Sequence, residues 1–187
     1  MLRLKLKRAA RNFDKTRSSM NQKNTAFIAL GSNKGDRIKY FRSFITALIK
    51  NSEIKVVKSS SVYETKPFGK VKQPNYLNAV IEVRTSYKLQ ELFVYLKNLE
   101  TELGRTKTKK WGPREIDLDV LFFNDEIFTN KKLIVPHYGI QDRDFVLIPL
   151  NQISPHTVHP VLNEKISDIC NRDISRNIIR KTRLKII

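Results

Sequence analysis

Apolar residues recur along the chain at two spacings, one typical of α-helices and one typical of β-strands. Residues 37–50 and 88–103 carry them at the spacing of three to four positions that places side chains on one side of an α-helix. Asp36 is a suitable N-cap for the first helix, and Gly104 suits the position just beyond the second. Stretches typical of β-strands precede and separate these helices at residues 25–30, 54–64 and 75–85.

The second half of the chain is predicted to add a central strand, a short strand and two helices. The central strand spans residues 115–123, and residues 124–125 are expected to close a hairpin after it. Residues 133–135 predict the short strand, and residues 143–153 and 163–170 the helices. Several strands are joined by connections too short for a crossover helix. We therefore expect an α+β fold, a mostly antiparallel sheet with helices packed on it.

The central strand carries the candidate chemistry. Its residues of one parity are apolar and are expected to face the core: Ile116, Leu118, Val120 and Phe122. Glu115, Asp117 and Asp119 have the other parity and project together from the opposite face. Adjacent carboxylates repel each other unless a cation lies between them, and Mg²⁺ held by one or two carboxylates plus substrate phosphates is the usual one. Taken alone, the pair more often belongs to a solvated strand face. The neighbouring Trp111 and Arg114 favour a binding site instead.

Composition and charge narrow the class of protein. A chain of 187 residues suits one domain. Its single cysteine, Cys170, excludes a disulfide framework and a cysteine-based zinc site, and a small buried apolar role is expected for it. No run of 18 apolar residues predicts a membrane span. The net charge of +18 is typical of polyanion binding, but residues 1–24 and 171–187 together supply 12 of these charges.

The charge distribution predicts three parts of the chain. Residues 1–24 form a basic N-terminal extension, residues 25–170 the folded domain, and residues 171–187 a basic C-terminal tail. The first segment also has the composition of a mitochondrial targeting peptide or of an RNA-binding arm. We therefore expect a cytoplasmic protein, or a mitochondrial one if the segment is a targeting peptide.

Six ordered blocks of the chain resemble the 6-hydroxymethyl-7,8-dihydropterin pyrophosphokinase family of folate biosynthesis. They are Ala-Leu-Gly-Ser-Asn at 29–33, Tyr-Glu-Thr-Lys-Pro at 63–67, Gln-Pro-Asn-Tyr-Leu-Asn-Ala at 73–79, Glu-x-x-Leu-Gly-Arg at 100–105, Trp-Gly-Pro-Arg-Glu-Ile-Asp-Leu-Asp at 111–119 and Val-Pro-His-Tyr at 135–138. The resemblance implies a ferredoxin-like α+β fold and transfer of pyrophosphate from ATP to the pterin alcohol. It also implies two Mg²⁺ ions held by Asp117 and Asp119. We expect a monomer without membrane or nucleic-acid partners.

The resemblance also implies roles for individual residues. Those expected to be catalytic are Arg105, Arg114, Asp117 and Asp119. The expected pterin contacts are Asn33, Thr65, Pro67, Phe68, Tyr76, Asn78, Trp111 and Phe145. The expected ATP contacts are Glu100, Arg105, Lys107, Lys110, Arg114, Lys132, Ile134, His137, Tyr138 and Arg143.

The chain departs from the family pattern in the cationic loop at residues 105–110 and again at Lys132. The stretch between Arg105 and Trp111 is one residue shorter than in well-known members, and lysines replace arginines there. Lys107 or Lys110 would stand in for a family arginine, as a point charge rather than a planar fork. Lys132 occupies a position where we expect arginine.

Two other functions are compatible with parts of the sequence. An RNA-binding domain of this fold would need exposed aromatic residues on its central strands, and no such motif is present. It would also have no use for Asp117 and Asp119, which repel phosphate without a metal. A two-metal phosphodiesterase would need further His or Asp ligands, which the sequence does not place.

Overall fold

The computed structural model describes residues 24–69, 72–106, 112–174 and 176–187. Nearly all of the predicted N-terminal extension, together with Lys107, Lys110 and Trp111, lies outside the described residues. The described helices are α1 (Arg37–Lys50), α2 (Leu89–Glu102), α3 (Asp144–Ile153) and α4 (Ile166–Cys170). The strands are β1 (Asn24–Ser32), β2 (Ile54–Ser59), β3 (Tyr63–Thr65), β4 (Tyr76–Thr85), β5 (Asp117–Phe123), β6 (Phe128–Thr129), β7 (Ile134–Val135), β8 (Val158–His159), β9 (Glu164–Lys165) and β10 (Ile178–Lys181).

The two helices predicted from the first half of the chain are confirmed. Asp36 caps α1 by accepting a hydrogen bond from the Lys39 backbone N–H at 3.1 Å. Glu91 accepts from the Lys88 N–H at 2.7 Å and closes the first turn of α2. Gly104 follows α2 with a φ of +93°, a conformation that glycine adopts without steric cost.

The main sheet is antiparallel, as expected. Its order is β10-β3-β4-β1-β5, and β2 pairs with β4 beside β3. The predicted strand at 54–64 is thus interrupted, because Ser60 uses its side chain in the ladder and accepts from the Val80 N–H at 2.9 Å. With β1 between β4 and β5, the chain follows the ferredoxin-like path from strand to helix to two strands to helix to strand.

Helices cover both faces of the sheet. Alternate residues of β1 separate the two cores: Ile28 and Leu30 pack with α1 and α2, whereas Phe27 packs with α3 and α4. Both predicted C-terminal helices form, although α4 begins only at Ile166 because Glu164 and Lys165 pair with β8. Within the described residues, no helix has the length and apolarity needed to cross a membrane.

Two expectations for β5 are wrong. Phe122 does not share a face with Leu118 and Val120 but packs in the opposite core against Phe27. A bulge is responsible: β1 pairs Ile28 with Val120 and Phe27 with Phe122, so that one extra residue shifts the alternation.

The turn after β5 does not form a hairpin either. Residues 124–125 turn the chain, with Asn124 at a φ of +48°, but the strand that follows, β6, pairs with β7. The paired partner of β5 is β1.

Candidate active site

Asp117 and Asp119 project from the sheet face on which α3 and α4 pack, as the alternation of β5 predicted. They lie opposite Gly31 and Ala29 of β1 and line a cavity of about 480 Å³. Gly31 matters because three side chains converge over it. A Cβ there would lie 3.3 Å from Asn78 Oδ1, 3.8 Å from Asp117 Cβ and 3.9 Å from Tyr76 Cδ1. The absence of a side chain therefore brings these three groups into one site.

Three cationic side chains neutralise the two aspartates. Arg105 Nη1 lies 2.8 Å from Asp117 Oδ1, and Arg114 pairs with the other oxygen of the same carboxylate. Lys97 Nζ lies 3.4 Å from Asp119 Oδ1. The two arginines were predicted at the site, whereas Lys97 was missed. A signal for it was its position three residues before Glu100 on the same helix, where side chains meet.

Glu100 supports this cluster from beneath the strand. Glu100 is 3% exposed. Its Oε1 accepts hydrogen bonds from the Leu118 N–H at 2.7 Å and from Lys97 Nζ at 2.8 Å. Its other oxygen pairs with Arg105. Glu100 thus joins α2 to β5 and is not among the residues that line the cavity. Its expected contact with ATP stays a prediction.

Burial and pairing set the charges of the cluster. Burial opposes ionisation of Asp119, but Lys97 and His137 outweigh this effect and lower its pKa below the usual value. Burial likewise opposes the charge on Lys97, yet Asp119 and Glu100 raise its pKa. Burial lowers the pKa of His137, although Asp119 opposes the shift. At neutral pH, Asp119 and Lys97 are therefore charged and His137 is neutral.

One end of the cavity is aromatic and largely uncharged. Five of the predicted pterin contacts line it: Thr65, Phe68, Tyr76, Asn78 and Phe145. The Phe68 and Phe145 rings meet edge to face with centroids 6.0 Å apart. The Asn78 side-chain N–H donates to Thr65 Oγ1 at 2.8 Å, a bond that fixes the amide orientation. A flat heterocycle could stack and hydrogen-bond here.

Two other predicted pterin residues, Asn33 and Pro67, are described but do not line the cavity. Asn33 is buried and accepts from the Arg114 N–H at 2.8 Å, while its own amide donates to Gln73 Oε1 at 3.1 Å. Asn33 therefore holds the loop of Arg114 in place.

The other end of the cavity, which adjoins the aromatic end at Arg143, is cationic. It is lined by five of the predicted ATP contacts: Lys132, Ile134, His137, Tyr138 and Arg143. The His137 and Tyr138 rings lie 4.6 Å apart, and the Arg143 guanidinium lies 5.2 Å from the Tyr138 centroid and 5.1 Å from that of Phe68. Arg143 thus stands where the two ends meet. The predicted contacts of Lys107, Lys110 and Trp111 lie outside the described residues.

A further polar clamp joins the loops around the site. Glu115 was grouped with the aspartates, but it is 5% exposed and faces two loops instead. It accepts from Lys34 Nζ at 2.6 Å and from Thr106 Oγ1 at 3.0 Å. The clamp ties the turn after β1 to the segment after α2.

The donor set at the strand fits a hard divalent cation. Asp117 and Asp119 present carboxylate oxygens on one face of a rigid strand, and phosphates or waters can complete such a site. No group of three or more His, Cys, Asp or Glu side chains suited to a metal occurs in the described part of the chain. A metal held here would therefore take its remaining ligands from substrate phosphates or from water.

This arrangement defines the class of site. Paired carboxylates, one of them bound by two arginines, line one cavity with an aromatic and a cationic end, on a ferredoxin-like sheet. Such a site can hold a flat heterocycle beside a polyphosphate and stabilise the charge of phosphoryl transfer.

Comparison with known proteins identifies the family. Residues 27–155 match 7,8-dihydro-6-hydroxymethylpterin-pyrophosphokinase (HPPK), and the chain belongs to this family. A relative in Aquifex aeolicus is 43% identical over 144 residues, which cover 77% of this chain and 89% of the relative. One in Bacillus subtilis is 46% identical over 130 residues, covering 70% and 78% of the two chains. Both are named 2-amino-4-hydroxy-6-hydroxymethyldihydropteridine pyrophosphokinase.

A solved structure supports the fold. The HPPK-DHPS protein of Plasmodium falciparum matches with a TM-score of 0.63 at 18% identity. The match covers 82% of this chain and 46% of that one, so this chain spans less than half of the larger protein.

Proposed function

We propose that this site transfers pyrophosphate from ATP to the hydroxyl group of 6-hydroxymethyl-7,8-dihydropterin, yielding AMP and the pterin diphosphate in folate biosynthesis. One observation carries the proposal. Asp117 and Asp119, with Arg105 and Arg114 paired to Asp117, line a single cavity that has an aromatic and a cationic end. Membership of the HPPK family supports the same activity.

The aromatic end holds and orients the pterin. Phe68 and Phe145 supply apolar faces for its ring, and Asn78 offers a hydrogen-bonding edge. Tyr76, beside Gly31, lines the same part of the cavity and directs the hydroxymethyl group toward the carboxylates. Holding the hydroxyl beside the reacting phosphate supplies much of the rate enhancement, because the reaction asks little covalent chemistry of the protein.

The cationic end holds the nucleotide. Lys132, His137 and Arg143 line it, and a neutral His137 can donate or accept a hydrogen bond at the base, ribose or phosphates. Arg105 and Arg114 bind Asp117 in the described conformation. When a nucleotide binds, they can leave Asp117 and bind phosphate oxygens instead, because guanidinium groups form bidentate hydrogen bonds with phosphate.

We propose that Asp117 and Asp119 hold two Mg²⁺ ions when the nucleotide is bound. Bound Mg²⁺ would neutralise phosphate charge and lower the pKa of the attacking hydroxyl. The chain contributes two carboxylates and a strand that fixes their spacing. We further propose that the protein acts as a monomer in the cytoplasm, or in mitochondria if residues 1–24 are a targeting peptide, without binding nucleic acid.

The test is AMP formation by the purified protein with ATP, Mg²⁺ and 6-hydroxymethyl-7,8-dihydropterin. We expect AMP only when the pterin is present. The substitution Asp117→Ala should lower the rate by about 10³-fold or more, because it removes several kcal/mol of charge stabilisation. Asp125→Ala is the matched control, since this exposed aspartate in the turn after β5 should leave the rate unchanged.

Three outcomes would contradict the proposal: release of ADP, AMP that does not require the pterin, or full activity of Asp117→Ala. Binding of RNA with a steep salt dependence and no AMP would favour the RNA-binding alternative.

A further inference from the structure

The segment after α4 returns to the substrate side of the sheet. Its strand β10 pairs antiparallel with β3, aligning Ile178 with Thr65. The pairing continues beyond both ends of the strand: the Lys66 N–H donates to Asn177 O at 2.9 Å, and the Thr182 N–H donates to Val62 O at 2.8 Å. Residues predicted as a basic tail therefore extend the sheet next to the aromatic end of the cavity.

The end of the chain is anchored independently of this pairing. Ile186 is 7% exposed and packs in the core that contains α1. Arg42 Nε donates to Lys185 O at 3.2 Å. A change near the start of β10 would therefore alter its position without releasing the whole segment.

Asp144 connects this segment to the first turn of α3. The residue is 2% exposed, and its Oδ2 accepts from the Asn177 N–H at 2.7 Å and the Ile178 N–H at 2.8 Å. Two hydrogen bonds from backbone N–H groups to one buried oxygen form a strong link, because losing this acceptor would leave both N–H groups without a partner. The chain from β3 through β10 to α3 is thus held by hydrogen bonds at each step.

Cavity residues lie next to both partners of the hydrogen-bonded link between Asp144 and β10. Phe145 follows Asp144 directly, and Thr65 lies in the register pair with Ile178. Phe145 is in edge-to-face contact with Phe68, which belongs to the loop that begins at Lys66. The link therefore fixes the position of Phe145 relative to Phe68 in the aromatic end.

The other end of α3 has its own attachment. Gln152 Oε1 accepts from the Ser61 N–H at 2.9 Å and from the Tyr63 hydroxyl at 3.0 Å. Loss of the Asp144 link should consequently let α3 pivot about this attachment and move its first turn most. That turn is the part of the helix that lines the cavity.

We propose that Asp144, acting through β10, is a positioning residue for the aromatic end of the cavity and tunes binding of the pterin rather than of ATP. This inference rests on the proposed function for the identity of the ligand. Asp144 touches no reacting atom in this role. It holds Phe145 in edge-to-face contact with Phe68, and the two rings together form the apolar wall against which a flat ring can pack.

The test compares Asp144→Ala with Asp144→Asn in the full chain. We expect Asp144→Ala to raise the KM for the pterin about tenfold, which corresponds to about 1.4 kcal/mol, while the KM for ATP changes less than about twofold. Asp144→Asn retains an acceptor oxygen and should restore the pterin KM to within about threefold of the native value. Hydrogen exchange of the Lys66, Asn177 and Ile178 amides should be faster in Asp144→Ala.

Glu164→Gln serves as the matched control, because it loses only an exposed ion pair with Arg172 and should change neither KM. The inference is overturned if the KM values for both substrates rise equally in Asp144→Ala, or if exchange accelerates while the pterin KM stays constant. A native protein that forms no pterin-dependent AMP would instead overturn the proposed function. The exchange measurement does not depend on turnover and separates the two failures.

Discussion

Two parts of the site meet at Gly31 and are stabilised by different interactions. One is the aromatic end, and the other, the charged end, is the pair Asp117 and Asp119 with their cationic partners. At the carboxylates, every described charged group has a charged partner: Asp117 pairs with Arg105 and Arg114, and Asp119 with Lys97. At the aromatic end, the described contacts are a neutral hydrogen bond between Asn78 and Thr65 and ring contacts such as that of Phe68 with Phe145. The charged end is a connected ionic network, whereas the aromatic end depends on shape and orientation.

This difference predicts different consequences for substitution. Removal of Glu100, the buried member of this ionic network, leaves its partners without their acceptor, which costs more than the lost contact. Removal of a neutral group at the aromatic end changes how well a ring fits and leaves the fold nearly intact. Substitutions at the charged end should therefore affect stability and rate together, and those at the aromatic end should affect pterin binding alone.

Glu100→Ala should have the largest effect of the variants that probe this contrast. The substitution leaves the Leu118 N–H and Lys97 without their buried acceptor and Arg105 without one of its two carboxylates. We expect the free energy of unfolding to fall by about 3 kcal/mol. Urea unfolding of the purified variant measures this change, and AMP formation should fall with it because β5 carries both aspartates.

Glu102→Ala is the control for this variant, since Glu102 is exposed on the same helix two residues further along. It should change the free energy of unfolding by less than about 0.5 kcal/mol. Equal stability of Glu100→Ala and Glu102→Ala would show that the network contributes little to the fold, and the contrast between the two ends would fail.

Asn78→Ala should have an intermediate effect, confined to the aromatic end. The substitution removes the amide that donates to Thr65 Oγ1 and that faces Gly31. We expect the KM for the pterin to rise about tenfold, because a lost hydrogen bond in a buried site corresponds to about 1–2 kcal/mol. Steady-state kinetics with each substrate varied should show an unchanged KM for ATP.

Thr65→Val sharpens the same comparison. It keeps the volume of the side chain and removes the acceptor of the Asn78 amide, so the amide loses its fixed orientation but remains present. The pterin KM should rise less than in Asn78→Ala. A larger rise in the KM for ATP than for the pterin in either variant would contradict the assignment of this end.

The fold followed from the sequence where the signals were local. The spacing of apolar residues and the caps at Asp36 and Gly104 define α1 and α2 without knowledge of the rest of the chain. The side of β5 occupied by Phe122 could not be predicted this way, because the bulge arises from pairing with β1 about a hundred residues earlier. Strand β10 could not be predicted either, because its only apolar residues are the adjacent Ile178 and Ile179, which lie among basic residues.

The site was predictable in its residue types more than in its contacts. The resemblance located both ends of the cavity, and most of the residues it implied line them. It could not indicate that Glu100 supports β5 from below, although a carboxylate directly after the apolar face of α2 was a signal of burial. Lys97 and Asp144 were missed because each acts through backbone groups or charges brought together only by folding.

Glu115→Gln should have the smallest effect, because Glu115 binds loops outside the cavity. Burial alone would raise the pKa of Glu115, but hydrogen bonds from Lys34 and Thr106 lower it to about 2. The folded pKa thus lies below the unfolded value of about 4.3, so the clamp stabilises the fold above that pH and loses its effect as the pH falls toward 2. Because Lys34 is 45% exposed, we expect Glu115→Gln to cost only about 1 kcal/mol at pH 6.

Urea unfolding at pH 6, 4.5 and 3 in low salt checks this sign. The difference between the native protein and Glu115→Gln should shrink as the pH falls below about 4.3. The unfolded state then takes up a proton at this carboxyl, whereas the folded carboxylate, with a pKa of about 2, stays ionised and bound to Lys34. The exposed Glu126, replaced by Gln, provides the control and should show no such trend. A difference that stays constant from pH 6 to pH 3 would mean that the clamp acts through packing rather than charge. The ionic contribution would then be confined to the carboxylate end of the cavity.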